Sequence, residues 1–500
     1  MVVKHVAMKK HNIHLLISTL FCTLAAVCSC GSHCSTYEFT NDYEHAIAQM
    51  GDMCEVSPLR ALPVEKRLEL ARRYSSVLDC SEGFSRVYSN YKFGFVDNDG
   101  NEVIPCIYDY VDNFSCGVAR VKNNGRWGFI DNCANEVVSL SYDYVLPFSD
   151  GLAPVYNEEK WGVVDKCGKE LLPCVNDFVG AFSNGLAVVR TEGRWWYVDK
   201  TGKDAFSCSY DNAYDFKDGL ARVQLNGKWG FIDNSGKLVV PCVHDALSDF
   251  SDGLARAKIN GKWGFVNKTC KEVIPCVYDY AMEFVGDFAR VCLKGKWGFV
   301  DKCGKVIVPM KYDDVYDFVE GFARVKVDGK WGFVDSSGTE IVPFKYSSVN
   351  DFSEGFACVK YFGDWGYVDK TGNEVIPCIY RAAWSFKDGI AAVDYKDKNG
   401  YIDKEGKEVI PCSYSTLYNF TSGIAHAKQD GKWGIVGKTG DVVVETKYFH
   451  VRIYLRLGIV SAALKSDGDS YILHYYDFDG NYLGDGEIKD TAFDFLECYV

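Results

Sequence analysis

Catalysis would need a nucleophile held beside a base, and this sequence offers few of either. Nine His occur in 500 residues, and five of them (His5, His11, His14, His33, His45) fall in the first 45. Neither Gly-x-Ser-x-Gly nor His-Glu-x-x-His is present. His244 and His426 stand where equivalent segments carry Tyr and Arg, and read as drift. Asp97-Asn-Asp-Gly-Asn101 and Asp477-Phe-Asp-Gly-Asn481 have the acidic spacing of calcium loops. Both lack the closing Glu, so a hairpin turn is the stronger reading. Of the 21 Cys, Cys106, Cys174, Cys208, Cys242, Cys276, Cys378 and Cys412 share one slot that Leu140, Met310 and Phe344 fill elsewhere. Exchange with apolar residues marks a buried position, where Cys acts as a small hydrophobe. Cys133, Cys167 and Cys303 lie in a turn slot and should be exposed. No Cys-x-x-Cys zinc pattern accompanies them. The expectation is no catalytic residue, no metal and no cofactor.

Binding chemistry is better represented. Trp127, Trp161, Trp195, Trp229, Trp263, Trp297, Trp331, Trp365 and Trp433 form a ladder, each followed by Gly except Trp195. A row of indoles could stack on sugar rings. Gly beside Trp instead suggests bulk against close-packed backbone, which favours a core role. Trp384 lies off the ladder and is the better surface aromatic. Arg86, Arg120, Arg222, Arg256, Arg290 and Arg324 share another slot. Arg222, Arg256, Arg290 and Arg324 could make a stripe for anionic groups. The competing reading is a repeated ion pair with Asp97, Asp131, Asp233, Asp301 and Asp335, and repetition in step with the scaffold favours it.

The elements that hold these residues repeat every 34 positions. Trp-Gly recurs at that step from Trp127 to Trp433, with Asn399-Gly400 in the skipped slot and Phe93-Gly94 one period earlier, giving eleven units without insertion or deletion. A fixed period of this length is the signature of a repeat architecture. Within a unit, Gly219-Leu-Ala-Arg-Val223 alternates apolar and variable residues, the rhythm of a half-buried strand. Asn226-Gly227 then predicts a type I′ hairpin turn, which needs positive φ at both central residues. The Trp strand follows, then Asp233-Asn-Ser-Gly236 as a type I turn. A third strand such as Glu374-Val-Ile-Pro377 ends at Pro, which cannot donate to a ladder. Three strands and an aromatic loop per unit make the array all-β. We expect an open superhelical or solenoid array, with a β-propeller as the alternative. Propellers usually hold four to eight blades, and eleven units would need two rings.

The formal net charge is −13, and no basic run follows the N-terminus. Nucleic acid, whose binding needs clustered Lys and Arg, is excluded as a partner. Residues 1–30 read as a signal peptide, with Lys4, Lys9 and Lys10 before an apolar run that is short for a membrane span. Val27-Cys-Ser-Cys30-Gly31 resembles a bacterial lipobox with Cys30 as the lipidated residue. Cleavage near Ser29 stands level with it, and an uncleaved anchor comes third. Residues 31–73 form an N-terminal helical cap segment. Its Pro63-to-Arg73 stretch places Glu65 in the first turn and Arg72 and Arg73 in the last, matching the helix dipole. Val64, Leu68 and Ala71 should face the array. The array runs from 74 to 451, and residues 452–500 read as a degenerate C-terminal capping repeat.

Lys-Trp-Gly-Phe-[Ile/Val]-Asp-Lys-x-Gly-Lys-Glu-Val-Ile-Pro, preceded by Gly-Leu-Ala-Arg-Val, resembles the WG repeat, also called the KWG repeat, from about Tyr74 to Tyr448. The resemblance implies a β-rich scaffold of a mostly bacterial, often exported family, and carries over no catalytic residue. The sequence departs from the pattern at Phe93, Asn399 and Trp196, where loss of the Gly should strain close packing. The expected function is a non-enzymatic exported scaffold for protein–protein interaction at the cell envelope. A polysaccharide-binding surface module using aromatic rows is the alternative, and an envelope hydrolase the third. The partner is thus a protein or a polysaccharide, with membrane contact only through a lipid anchor.

Overall fold

The computed structural model describes residues 57–466 and 470–489. The expected signal segment with Cys30, and residues 31–56 of the expected cap, lie outside them. The described chain is all-β apart from one short 3-10 turn (Pro58–Ala61) and one helix, α1 (Val64–Arg73). Twelve consecutive antiparallel sheets follow, and each is a meander whose neighbours in sequence are neighbours in space. Eleven have four strands and the fourth sheet has three.

The second sheet shows the plan. It contains Tyr110–Val111, Val118–Asn123, Arg126–Asp131 and Glu136–Tyr142. The aromatic loop of the sequence reading therefore carries a further, two-residue strand, so a unit has four strands rather than three. Two residues are too few for an alternating pattern to mark them. The type I′ turns form as expected: Asn226 and Gly227 have φ of 53° and 75°. Asp233 Oδ1 accepts the backbone N–H groups of Ser235 (2.9 Å) and Lys237 (3.1 Å). The Asp slot thus builds a turn and does not pair with the Arg slot. The last strand does not stop at Pro. It runs from Glu102 through Pro105 to Tyr108, and its pairing shifts so that Phe95 faces Ile104 while Phe93 faces Tyr108. The exposed Pro sits in the resulting bulge, where no ladder donor is required.

Gly after Trp is where the last strand crosses the Trp strand. A Cβ on Gly128 would lie 2.5 Å from Val138 O and 2.7 Å from Ser139 O. In the fourth sheet Trp196 occupies this position, and the last strand is absent there. Trp195–Tyr210 and Val198–Asp204 remain as isolated bridges. The strain expected at Trp196 is resolved by giving up a strand.

Successive sheets are tied by repeated contacts. Ala119, Val121, Phe114 and Ile130 of the second sheet bury against Phe95, Ile104 and Tyr108 of the first. Carboxylates of one turn accept the N–H groups of the matching turn in the next sheet, as Glu320 does from Glu354 (2.7 Å) and Gly355 (3.0 Å). The array does not stay open. Val77, Val87 and Val96 of the first sheet share one buried cluster with Tyr454, Leu457, Ile459 and Tyr475 of the twelfth, and with Leu59, Leu68, Leu70 and Ala71. Arg452 donates to Ser75 O at 2.5 Å, and Arg456 forms an ion pair with Asp79. Of the two architectures, the propeller-like ring is the one adopted. A single ring of twelve holds all the units because residues 450–489 supply a complete twelfth sheet. That segment closes the ring where an end cap was expected.

α1 sits at the closing seam. Leu68 and Ala71 face inward as the periodicity indicates, with Leu70 also buried. Arg60, Arg67 and Arg72 donate to the carbonyls of Leu455, Leu457 and Asp485 (2.8, 2.8 and 2.7 Å) in the twelfth sheet. The basic residues of this segment therefore bridge to the last sheet as well as suiting the helix dipole.

Candidate functional site

The Trp, Arg and aromatic slots converge on one belt that runs from sheet to sheet. The nine ladder Trp are half-buried, so they are neither core nor free platforms. Trp127, Trp161, Trp195 and Trp297 leave the third strand beside Tyr110, Tyr144, Phe178 and Tyr280 of the first strand. In the first four sheets the belt is continuous: Phe93, Tyr110, Trp127, Tyr144, Trp161, Phe178 and Trp195 follow one another with ring centroids 5.4 to 6.4 Å apart. From the second sheet to the eleventh, six lack an aromatic in the first slot; in four of them a slot two residues later supplies one, and in the sheets of Trp263 and Trp365 neither slot is aromatic (Ala246 and Ser248, Ser348 and Asn350). Tyr214, Tyr316 and Tyr418 lie 5.7, 5.6 and 5.9 Å from Trp229, Trp331 and Trp433. Trp384 belongs to this second slot, fifteen residues before Asn399. The sheet that lacks the ladder Trp thus carries an indole one slot away. At 49% exposed, with its carbonyl accepting from Tyr367 OH (2.8 Å), Trp384 is a surface aromatic within the belt.

Cations cover the faces of seven of the nine ladder Trp. Arg120, Arg190, Arg222 and Arg256 lie over Trp127, Trp195, Trp229 and Trp263 at 5.0 to 5.5 Å. Lys326, Lys360 and Lys428 do the same for Trp331, Trp365 and Trp433. Such contacts contribute about 0.5–1 kcal/mol each at exposed sites, and they occupy the surface that a sugar ring would use.

The Arg slot is an inter-sheet staple. Arg222, Arg256, Arg290 and Arg324 donate to the carbonyls of Leu247, Ala281, Val315 and Val349, each 25 residues on in the next sheet. They also reach Asp249 (3.5 Å), Glu283 (3.7 Å), Asp317 (2.8 Å) and Asp351 (2.6 Å), each 27 residues on. Their side chains are only 19–22% exposed. Burial raises the Asp351 carboxyl above its ordinary range, and Arg324 pulls it back. Arg120 uses Asp112 instead (2.5 Å). The sequence did hold a signal for these partners. Where the Arg slot is Pro154, Cys358 or Ala392, the position 27 residues later is Ala181, Ser385 or Asn419. At these three positions the pair is lost together, whereas Asp215 stands opposite Val188, and Arg86 and Arg120 face Asn113 and Pro147. His426, read as drift, preserves the staple: its Nε2 lies 3.2 Å from Val451 O.

The Lys of the motif also has a repeated partner. Lys92, Arg126, Arg194 and Lys296 pair with Asp109, Asp143, Asp211 and Asp313, seventeen residues on, at 2.5 to 3.0 Å. These exposed pairs contribute little singly. The shared Cys slot is half-buried, with Cys106 Sγ 3.8 Å from Val87 O and Cys276 Sγ 3.4 Å from Ala257 O. Burial pushes these thiols up to about 11 and about 12. Cys208 is the exception and is exposed, because its strand is the one missing from the fourth sheet. Cys133, Cys167 and Cys303 are exposed as expected. Among the described residues no group of three or more His, Cys, Asp or Glu is placed to hold a metal.

A closed ring of small antiparallel meanders, stapled at its junctions and belted by aromatics, defines a propeller-like repeat protein. The chain belongs to the WG-repeat family: the WG containing repeat matches residues 93–127, 127–161, 161–195, 197–229, 229–263, 263–297, 297–331, 331–361, 365–398 and 400–433. No curated protein matches the chain. Among solved structures, a eukaryotic initiation factor aligns at 11% identity and a TM-score of 0.25, covering 73% of this chain and 94% of that one. An extracellular domain of a hybrid two-component system from B. thetaiotaomicron aligns at 10% identity and 0.21, covering 80% and 69%. Kluyveromyces lactis Hsv2p aligns at 10% and 0.24, covering 49% and 99%. Scores this low transfer neither activity nor ligand.

Proposed function

We propose that this protein is a non-enzymatic, exported repeat scaffold that binds a protein partner along its aromatic belt. The observation that carries the reading is the belt itself. Tyr110, Tyr144, Tyr214, Tyr280, Tyr316, Trp384 and Tyr418 are 36–55% exposed, at intervals set by the sheet repeat and flanked by cations. Tyr, Trp and Arg are the residues that dominate protein interfaces, being large, amphipathic and stiff. Export rests on the signal-like residues 1–30, with Cys30 as the lipid attachment point. Labelling with a palmitate analogue, lost in Cys30→Ser, tests that step; unlabelled secreted protein would leave cleavage near Ser29.

A polysaccharide is the second reading, favoured by Tyr280 and Trp384, the most exposed belt aromatics at 55% and 49%. A photo-crosslinking residue placed at Tyr280, Tyr316 and Trp384 in the native cell separates the two. Discrete protein adducts support the first reading, and saccharide adducts the second. No adduct beyond that of a control at buried Val325 would remove the belt as a binding surface.

A further inference from the structure

Eleven of the ring's junctions are built by the repeat, and the twelfth is not. There α1 fills part of the space between the first and twelfth sheets and leaves a cavity of about 390 Å³ open to solvent. That volume is in the range of small-molecule sites. Its walls combine α1 and the twelfth sheet with Tyr74, Ser75, Ser89 and Asn90 of the first sheet's side. Arg72 and Arg73 end the helix, Arg452 and Tyr454 come from the first strand of the twelfth sheet, and Tyr475 comes from its third. Arg72 donates to a carbonyl, Asp485 O (2.7 Å), and lies over the Tyr475 ring at 5.4 Å. Its positive charge therefore enters the cavity held in place but still formally positive. Arg73 is balanced by Glu102 at 2.8 Å, and Arg452 holds Ser75 O. Tyr454 and Tyr475 are buried and back the cavity behind the Arg72 guanidinium. Among the described residues that line it, exposed Glu487 is the one carboxylate.

We infer that this seam cavity is a binding site for a small carboxylate carried on a ring-sized body, such as a sugar acid. A guanidinium fixed by a carbonyl and an aromatic face is pre-organised to present its remaining N–H groups to a planar oxyanion. The cavity volume has room for the ring. A free acid and the acidic end of a glycan share this chemistry.

The test is calorimetry or saturation-transfer NMR on the full chain, with D-glucuronate, D-glucose and a glucuronate-terminated disaccharide as probes. Glucuronate should bind at low-millimolar affinity or better and weaken as salt rises, and glucose should not bind. Tighter binding of the disaccharide would assign the glycan end, and equal or weaker binding the free acid. Arg72→Gln should weaken glucuronate at least tenfold. Glu487→Gln removes a repelling charge from an exposed position and should tighten it two- to fivefold without affecting folding. Arg324→Gln, in the belt, should change nothing. Equal response to glucose and glucuronate, or indifference to both Arg72→Gln and Glu487→Gln, overturns the assignment.

Discussion

Replacing Gly128 with Ala should open one sheet without touching its neighbours' sequences. The new Cβ would stand 2.5 Å from Val138 O and 2.7 Å from Ser139 O, where real Cβ contacts stay above 3.0 Å. Both obstacles are backbone atoms, so the third and fourth strands must part by at least half an ångström (3.0 − 2.5). The displaced segment lies between the pairs Trp127–Tyr142 and Phe129–Val138. Two ladder hydrogen bonds at about 1 kcal/mol each, with packing strain of about 1–3 kcal/mol, give a local cost of roughly 3–5 kcal/mol. Gly125→Ala is the control in the same hairpin. Its φ of +82° disfavours a side chain, but nothing lies within 4 Å, so only a left-handed backbone strain of about 1–2 kcal/mol applies. Hydrogen exchange over Glu136–Tyr142 reads the difference directly, because local opening is measured sheet by sheet. Protection there should fall far more in Gly128→Ala than in Gly125→Ala. Equal loss, or greater loss in Gly125→Ala, would refute the crossing-strand account of the Trp-Gly motif.

The remaining predictions concern the junctions, the thiols and pH. Arg324→Ala should destabilise by about 1–2 kcal/mol, discounted for partial exposure, whereas Arg324→Cys with Asp351→Ser, the residue pair found at Cys358 and Ser385, should recover part of that loss in urea denaturation. A thiol reagent at pH 8 should label Cys133, Cys167, Cys208 and Cys303 rapidly and Cys106, Cys276, Cys378 and Cys412 slowly, since the latter are raised to about 11–12 by burial; mapping by mass spectrometry decides this. Burial, with Arg452 and His426 nearby, lowers His450 to about 4, and burial also lowers His426. The unfolded chain therefore binds more protons below about pH 6.5, so stability should be full above that pH and fall between about 6.5 and 4; substituting both with Gln should flatten the profile. Tryptophan emission should show intermediate acrylamide quenching, because the indoles are half-buried under cations; free or fully shielded emission would contradict the belt geometry.

Much of this architecture was legible because a 34-residue repeat states each local rule eleven times. Asn226-Gly227 specifies its turn, and Ala221 and Val223 specify a strand face, by chemistry confined to a few residues. The two-residue strand at Tyr110–Val111 was not legible, since period-2 alternation needs more positions than it has. The Asp slot was assigned to the wrong partner for a related reason. Asp233 is satisfied by its own turn, two to four residues away, and local hydrogen bonding outcompetes a distant ion pair. The true partners of Arg222 and Arg324 lie 27 residues on, and only the joint loss at Pro154/Ala181, Cys358/Ser385 and Ala392/Asn419 betrays them.

Closure was the least legible feature, and the reason is physical. Every internal junction buries the same surfaces, so the repeat encodes how one sheet meets the next but not where the series returns on itself. That information sits in the residues that break the pattern. The twelfth sheet lacks Trp-Gly, and it meets α1 as well as the first sheet. Gly480 keeps the repeat's contact with the sheet behind it, close to Val443 O, while Arg452, Arg456 and Tyr475 serve the seam ahead. Tyr74, at the C-terminal end of α1, takes the buried position that Tyr108 and Tyr278 hold at the ends of strands, so the helix stands in for the last strand of a preceding sheet. The decay after Lys447 and the helix before Tyr74 are two halves of one interface. Deleting α1 should therefore destabilise the twelfth sheet, nearly 400 residues away in sequence, as much as the first. Loss of exchange protection confined to Ser76–Ser81 would show that the ring is held shut by its sheets alone.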